Sequence, residues 1–217
     1  MNQNLTIQDL RFTKPKMSRL INFEENEKHL KIKFIESGQK ILGDKFKIQP
    51  DRRKLVTDLL KYFTGNEGKY DLNKGIYFYG DFGIGKTITM EVFRRFIADN
   101  FWMSKNGYHT TSIEQIIERY KTDNSLDYYG FNKNAKPFNL CINEFGKKVS
   151  EKIYGTEVDR LIESLFMIRY KLFQTNKVIT HITSNYDPSE LTLPAILKDR
   201  MNEMFNFIKV NGESLRK

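Results

Sequence analysis

A single cysteine, Cys141, stands among 217 residues. That excludes an internal disulfide framework and a cysteine-based zinc cluster, and it makes a reducing cytosol the simplest compartment. The three histidines, His29, His109 and His181, are scattered along the chain and present no histidine metal motif. No apolar run approaches the length of a spanning helix, which excludes an integral membrane protein. The first twelve residues, MNQNLTIQDLRF, hold no apolar stretch of signal-peptide length. There is no internal repeat, no low-complexity tract and no arginine-rich block. Hydrophobic residues make up 39% and charged residues 29%, a balance that argues against wholesale disorder and for one α/β domain large enough to bury a core.

Acidic residues are in modest deficit, leaving a formal charge of +9. The excess is uneven: residues 1–70 hold 15 Lys/Arg against 9 Asp/Glu, and residues 71–217 hold 21 against 18. Arg11, Lys14, Lys16 and Arg19 form one cluster; Arg52, Arg53 and Lys54 form another. Such patches attract phosphate backbones or serve as a solvated face, and the sequence leaves both open.

The hydrophobic pattern changes character along the chain. Residues 17–42 read as a helix stopped at Gly43, and Pro50-Asp51 opens a second in which Leu55, Val56, Leu59, Leu60 and Phe63 recur at helical spacing. The turn-rich stretch 64–74 looks like a boundary. Beyond it, short apolar runs alternate with helical patterns. Strands are expected at 75–80, 108–111, 138–145, 177–185 and 204–210, and helices at 88–101, 112–123 and 157–174. Ser112 and Gln115 are spaced for a capping box. Strand–helix alternation with continuously apolar strands argues for a parallel sheet covered on both faces.

The strongest signal is Gly80-Asp81-Phe82-Gly83-Ile84-Gly85-Lys86-Thr87, a complete G-x-x-x-x-G-K-[ST] motif between an expected strand and an expected helix. Its glycines let successive N–H groups point at phosphate oxygens, and the helix N-terminus adds the positive end of its dipole. Lys86 is placed to reach β- and γ-phosphates and Thr87 to ligate Mg²⁺, so the expected ligand is ATP with Mg²⁺.

Such a site also needs a group that helps hold the metal and one that orients water, both at the end of a neighbouring strand. Leu140-Cys141-Ile142-Asn143-Glu144 is the candidate. Glu144 stands where a water-activating carboxylate belongs. Asn143 takes the metal-side position with a neutral amide oxygen, a weaker ligand for a hard cation than a carboxylate. Either hydrolysis suffers, or Thr87, phosphates and waters hold the metal without help. Cys141 is expected in the core. A third strand ends Ile182-Thr183-Ser184-Asn185, placing Asn185 to contact the γ-phosphate or the attacking water; His181 in that strand is expected to be packed. Arg200 could reach a neighbouring subunit's γ-phosphate. Arg216 either touches phosphates in cis or belongs to a frayed end.

In order and spacing, GDFGIGKT, LCINEFG, the TSN at 183–185, LKDRM around Arg200 and the closing GESLR resemble the AAA+ ATPases of the DnaC/IstB type, over residues 45–217. The resemblance implies an α/β P-loop three-layer sandwich with a central parallel sheet and no large C-terminal lid. It divides the chain into a basic, helical extension (1–45) and an AAA+ domain (46–217). By position, residues 80–87 are Walker A, Asn143-Glu144 Walker B, Asn185 sensor I, Arg200 an arginine finger and Arg216 a sensor II residue. Asn143 departs from the family's Asp.

The resemblance also implies partners: a replicative helicase or a transposase, single-stranded DNA, and further copies of the chain in an ATP-dependent oligomer in the cytoplasm, with no membrane. A nucleotide-dependent binding module with little turnover is the alternative that Asn143 favours. Lys147, Lys148 and Lys152 follow the Walker B strand as either a solvated loop or a DNA grip. The aromatic turn Asp127–Phe131 is expected to pack on its own domain rather than serve as a stacking platform. The adenine pocket is expected to involve the segment around Phe46 and Ile48.

Overall fold

The computed structural model describes residues 15–44, 46–130, 136–146, 152–153, 156–191 and 193–212. The chain runs α1 (Phe23–Leu42), α2 (Arg53–Phe63), β1 (Gly75–Gly80), α3 (Lys86–Asn100), β2 (His109–Ser112), α4 (Ile113–Asp123), β3 (Leu140–Phe145), the short β4 (Lys152–Ile153) and β5 (Thr156–Glu157), α5 (Val158–Asn176), β6 (Thr180–Ser184), α6 (Ala195–Met204) and β7 (Phe205–Val210). Five strands form one parallel sheet in the order β2-β3-β6-β1-β7, and β4 and β5 make an antiparallel pair. β1, which feeds the glycine-rich loop, therefore lies between β6 and β7, with β3 one strand further out. The ends of β1, β3 and β6 meet above the sheet, where ligands bind in open α/β folds.

The period of two along the strands sorts side chains between two cores. Ile76 and Phe78 of β1 join a cluster built on α1, α2 and α3, while Tyr77 between them joins a second built on α4, α5 and α6. This is the expected three-layer sandwich. Among the described residues no helix is long and apolar enough to cross a membrane.

α1 begins six residues later than its pattern predicts. Asn22 caps it, its side chain accepting from the Glu24 N–H. The preceding residues spend their backbone bonds elsewhere: Met17 N–H donates to Leu72 O, Leu20 N–H to Thr64 O, and Ser18 exchanges two bonds with the Asn106 amide. The turn-rich 64–74 segment is thus an anchor for the chain's first described residues, and side chains from before and after it share one cluster. α1 itself lies on α3, with the Phe34 ring 4.5 Å from that of Phe93, and Lys40 pairs with Asp99 at 2.7 Å. The Ser112/Gln115 capping box forms as its spacing predicts.

Cys141 and His181 are core residues, as expected. His181 is fully buried among Tyr62, Phe63 and Tyr108, and its Nδ1 accepts from the Ile76 N–H at 3.1 Å. Burial first, then the nearby Arg169 charge, pulls its pKa down to about 3. A folded-state pKa below the ordinary 6.5 means the unfolded chain takes up the proton first, so stability is intact above pH 6.5 and is lost as pH falls toward 3. Each pH unit inside that window costs up to about 1.4 kcal/mol from this group. Urea unfolding of His181→Phe at pH 7 and pH 4.5 is expected to show a smaller fall than wild type; equal falls would remove His181 as a source of acid sensitivity.

Candidate functional site

The site is built on the turn from β1 into α3. Gly83 and Gly85 have φ of 76° and 85°, the left-handed region where a side chain is strained. Gly85 is also the residue before the first turn of α3, so the helix begins at Lys86, two residues earlier than its apolar pattern shows. Left-handed glycines leading into a helix N-terminus are the geometry by which such loops receive an anion.

Lys86 is 6% exposed, and its ammonium donates to Gly80 O at 2.8 Å, Asp81 O at 2.6 Å and Asn185 Oδ1 at 2.7 Å. The lysine of the first motif and the amide ending the third strand are therefore in direct contact. Around them opens a cavity of about 810 Å³, lined among others by Phe82, Gly85, Thr87, Glu144 and Asn185. A nucleotide fits that volume.

At the end of β3 the ladder with β6 shifts register between Ile142 and Phe145. Glu144 sits in that irregularity with φ of 59° and reaches the cavity as an exposed side chain. Irregular, strained positions of this kind concentrate at functional sites. Asn143 faces the other way, toward β6: its Oδ1 accepts from the Thr183 hydroxyl at 3.0 Å and the Cys141 thiol at 3.8 Å. Thr87 Oγ1 lies 3.3 Å from Thr183 Oγ1. With the Thr183 proton committed to Asn143, Thr87 is the donor in that contact, and its lone pairs are left for a cation. The donors are all hard oxygens and fit Mg²⁺; Asn143 acts on Thr87 through Thr183.

No family model matches the sequence, and no curated protein matches it. Solved structures do. DnaI aligns at 21% identity over 82% of this chain and 93% of that chain, with TM-score 0.54. The DnaC helicase loader aligns at 23% identity over 77% and 95%, with TM-score 0.52. The replication initiator DnaA bound to AMPPCP and single-stranded DNA aligns at 14% identity over 78% and 50%, with TM-score 0.53. The chain has the AAA+ fold.

Within this AAA+ fold the sequence-predicted residues separate into three groups. The glycine-rich loop, Lys86, Thr87, Glu144 and Asn185 converge on the cavity, with Asn143 behind Thr183. Arg200 does not line it: on α6, its guanidinium lies 4.8 Å from the Tyr170 ring centroid and touches Met167 of α5. A role for it at a γ-phosphate needs a second copy of the chain. Arg216, Lys147 and Lys148 lie outside the described residues, as do Arg11, Lys14 and Phe131.

The segment expected at the adenine pocket divides between the core and the cavity. Phe46 and Ile48 pack against the first core, and Leu42 at the end of α1 is the residue of that region that lines the cavity. In the aromatic turn Tyr129 is buried, while Tyr128 remains exposed with the Arg119 guanidinium 3.8 Å from its ring centroid.

The sequence pattern assigned nothing to Thr183, although it lies two residues before Asn185 on one strand face. Nor did it single out Glu91, which lines the cavity one helical turn after Thr87.

Proposed function

We propose that this chain is an ATP-binding AAA+ protein of DNA replication that binds a replicative helicase and remodels or loads it on single-stranded DNA. The carrying observation is the meeting of Lys86 and Asn185 at 2.7 Å inside a cavity that also takes in Thr87 and Glu144. That arrangement puts a cation, a hydroxyl, a carboxylate and an amide around one point, the set that phosphoryl chemistry requires.

In this reading the loop N–H groups and Lys86 bind the phosphates, the Lys86 ammonium exchanging its loop carbonyls for phosphate oxygens. Asn185 holds Lys86 and marks the γ-phosphate side. Thr87, oriented by Thr183 and Asn143, would hold Mg²⁺, which when bound would neutralise phosphate charge. Glu144 orients water and accepts its proton. Arg200 acts on the nucleotide of a neighbouring copy, so the working form is an ATP-dependent oligomer. The similarity of fold to the DnaC helicase loader, DnaI and DnaA bound to single-stranded DNA supports helicase and DNA as partners.

A second reading has one specific observation behind it. The Asn143 oxygen is held by Thr183 and brings no charge to the metal side. A protein that switches on nucleotide binding, with slow turnover, suits that arrangement.

Sedimentation of the chain with a replicative helicase from the same cell and a single-stranded oligonucleotide tests the proposal. A complex that forms with Mg-ATP and dissolves without it is the expected result. Absence of helicase binding in both conditions, with binding of a transposase from a mobile element instead, would replace the loader with a transposition ATPase.

A further inference from the structure

Among the described residues two carboxylates line the phosphate-loop cavity, Glu91 and Glu144. Glu144 continues the strand that carries Asn143. Glu91 comes from α3, one turn beyond Thr87, so the two side chains leave the same helix face. Its side chain is 30% exposed. Arg94 Nε donates to both carboxylate oxygens, at 2.8 and 2.9 Å, and Thr110 Oγ1 donates to Oε2 at 3.4 Å. Thr110 is in register with Cys141 on β3, and the Cys141 thiol reaches Asn143 Oδ1. Glu91 is therefore anchored on the side of α3 that faces the β2–β3 pair, level with Cys141, two residues before Asn143 on the same strand.

We propose that Glu91 supplies, from the helix, the negative charge that Asn143 does not bring from the strand, and that it does so through the water shell of a divalent cation held by Thr87. This rests on the nucleotide-binding reading above. The physical basis is that a hard divalent cation keeps several of its waters and is stabilised by a carboxylate that accepts hydrogen bonds from them. Asn143 has spent its oxygen on Thr183 and carries no charge. Arg94, whose Nη2 also donates to Oε1, and Thr110 fix the Glu91 carboxylate at the cavity wall and share its oxygens, so it would act on the cation's waters through the charge that Arg94 leaves uncompensated. Glu91 is in this sense a positioning residue for the cation.

The test uses the full chain, with AMPPCP as nucleotide and Mn²⁺ as cation. AMPPCP affinity is measured with Mn²⁺ and with EDTA, and bound Mn²⁺ is followed by electron paramagnetic resonance. Glu91→Gln is expected to cut the affinity gained from the cation by about tenfold, with a far smaller change in EDTA. Glu91→Asp keeps part of the gain, and Asn143→Asp placed on Glu91→Gln restores it. The proposal fails if Glu91→Gln keeps the full gain, or if its affinity falls equally with and without cation, the result expected if Glu91 only holds Arg94. Wild type that binds AMPPCP in neither condition overturns the nucleotide reading itself and this inference with it.

Discussion

Lys86→Ala is expected to weaken ATP binding by about 100-fold, close to 2.7 kcal/mol. The buried ammonium sits at the junction of the loop, with three neutral oxygens within 2.8 Å, and the charged oxygens of a phosphate would be stronger partners for it. Charge-assisted bonds to phosphate in a partly desolvated site are among the strongest a side chain makes. Removing the side chain also leaves the Asn185 amide without its hydrogen-bond donor from Lys86. The variant should fold, because α3 is held by Met90, Val92, Phe93, Phe96 and Ile97 in the first core. Thermal unfolding separates the two effects. Wild type gains stability as Mg-ATP is added, by roughly 2.7 kcal/mol at 100 times Kd, and Lys86→Ala gains almost none at the same concentration. A variant that matches wild type in this assay would place the nucleotide elsewhere.

The largest stability effect is expected at Arg169. It is 1% exposed, yet no carboxylate among the described residues forms a salt bridge with it. Instead its guanidinium donates to Thr180 Oγ1 at 2.9 Å, Phe138 O at 2.9 Å and Tyr129 O at 3.2 Å. One side chain of α5 thereby ties β6 to the chain on both sides of residues 131–135. Burial pulls the guanidinium down to about 9, which leaves it charged at neutral pH. Five N–H donors on a rigid plane explain why arginine, rather than lysine, serves several carbonyls at once. Arg169→Met keeps much of the volume but orphans buried acceptors, each costing about 1–3 kcal/mol, so a net loss of about 3 kcal/mol is expected after relief of the buried charge. Urea denaturation measures it, and hydrogen exchange should show amides near Tyr129 and Leu140 losing protection first. A loss below 1 kcal/mol would mean that water replaces the guanidinium.

The phosphate loop was legible because its chemistry is local: glycines, a lysine and a hydroxyl within eight consecutive residues, flanked by a strand and a helix. The strand ends at Asn143-Glu144 and Asn185 were legible because an apolar run that turns polar marks the point where a buried strand leaves the core. What the sequence did not show is contact across the sheet. That Thr183 would stand between Thr87 and Asn143 depends on β6 lying between β1 and β3, a fact of topology with no local signature. Glu91 was readable in principle, four residues after Thr87, but four-residue spacing on a helix is too common to single out one acid. The start of α1 is not legible for a similar reason: residues 17–22 have a helical pattern, and their bonds to Thr64, Leu72 and Asn106 draw them out of the helix. Arg169 reads in sequence as one more polar residue of an amphipathic helix, and its burial follows from packing alone.

Turnover of Mg-ATP, with and without single-stranded DNA, tests the central claim most directly, run on wild type beside Asn143→Asp and with Lys86→Ala as background. The account predicts turnover above that background, stimulated by DNA, with Asn143→Asp raising the rate. A wild type that stays at the Lys86→Ala level with DNA present, and an Asn143→Asp variant that stays there too, would contradict it.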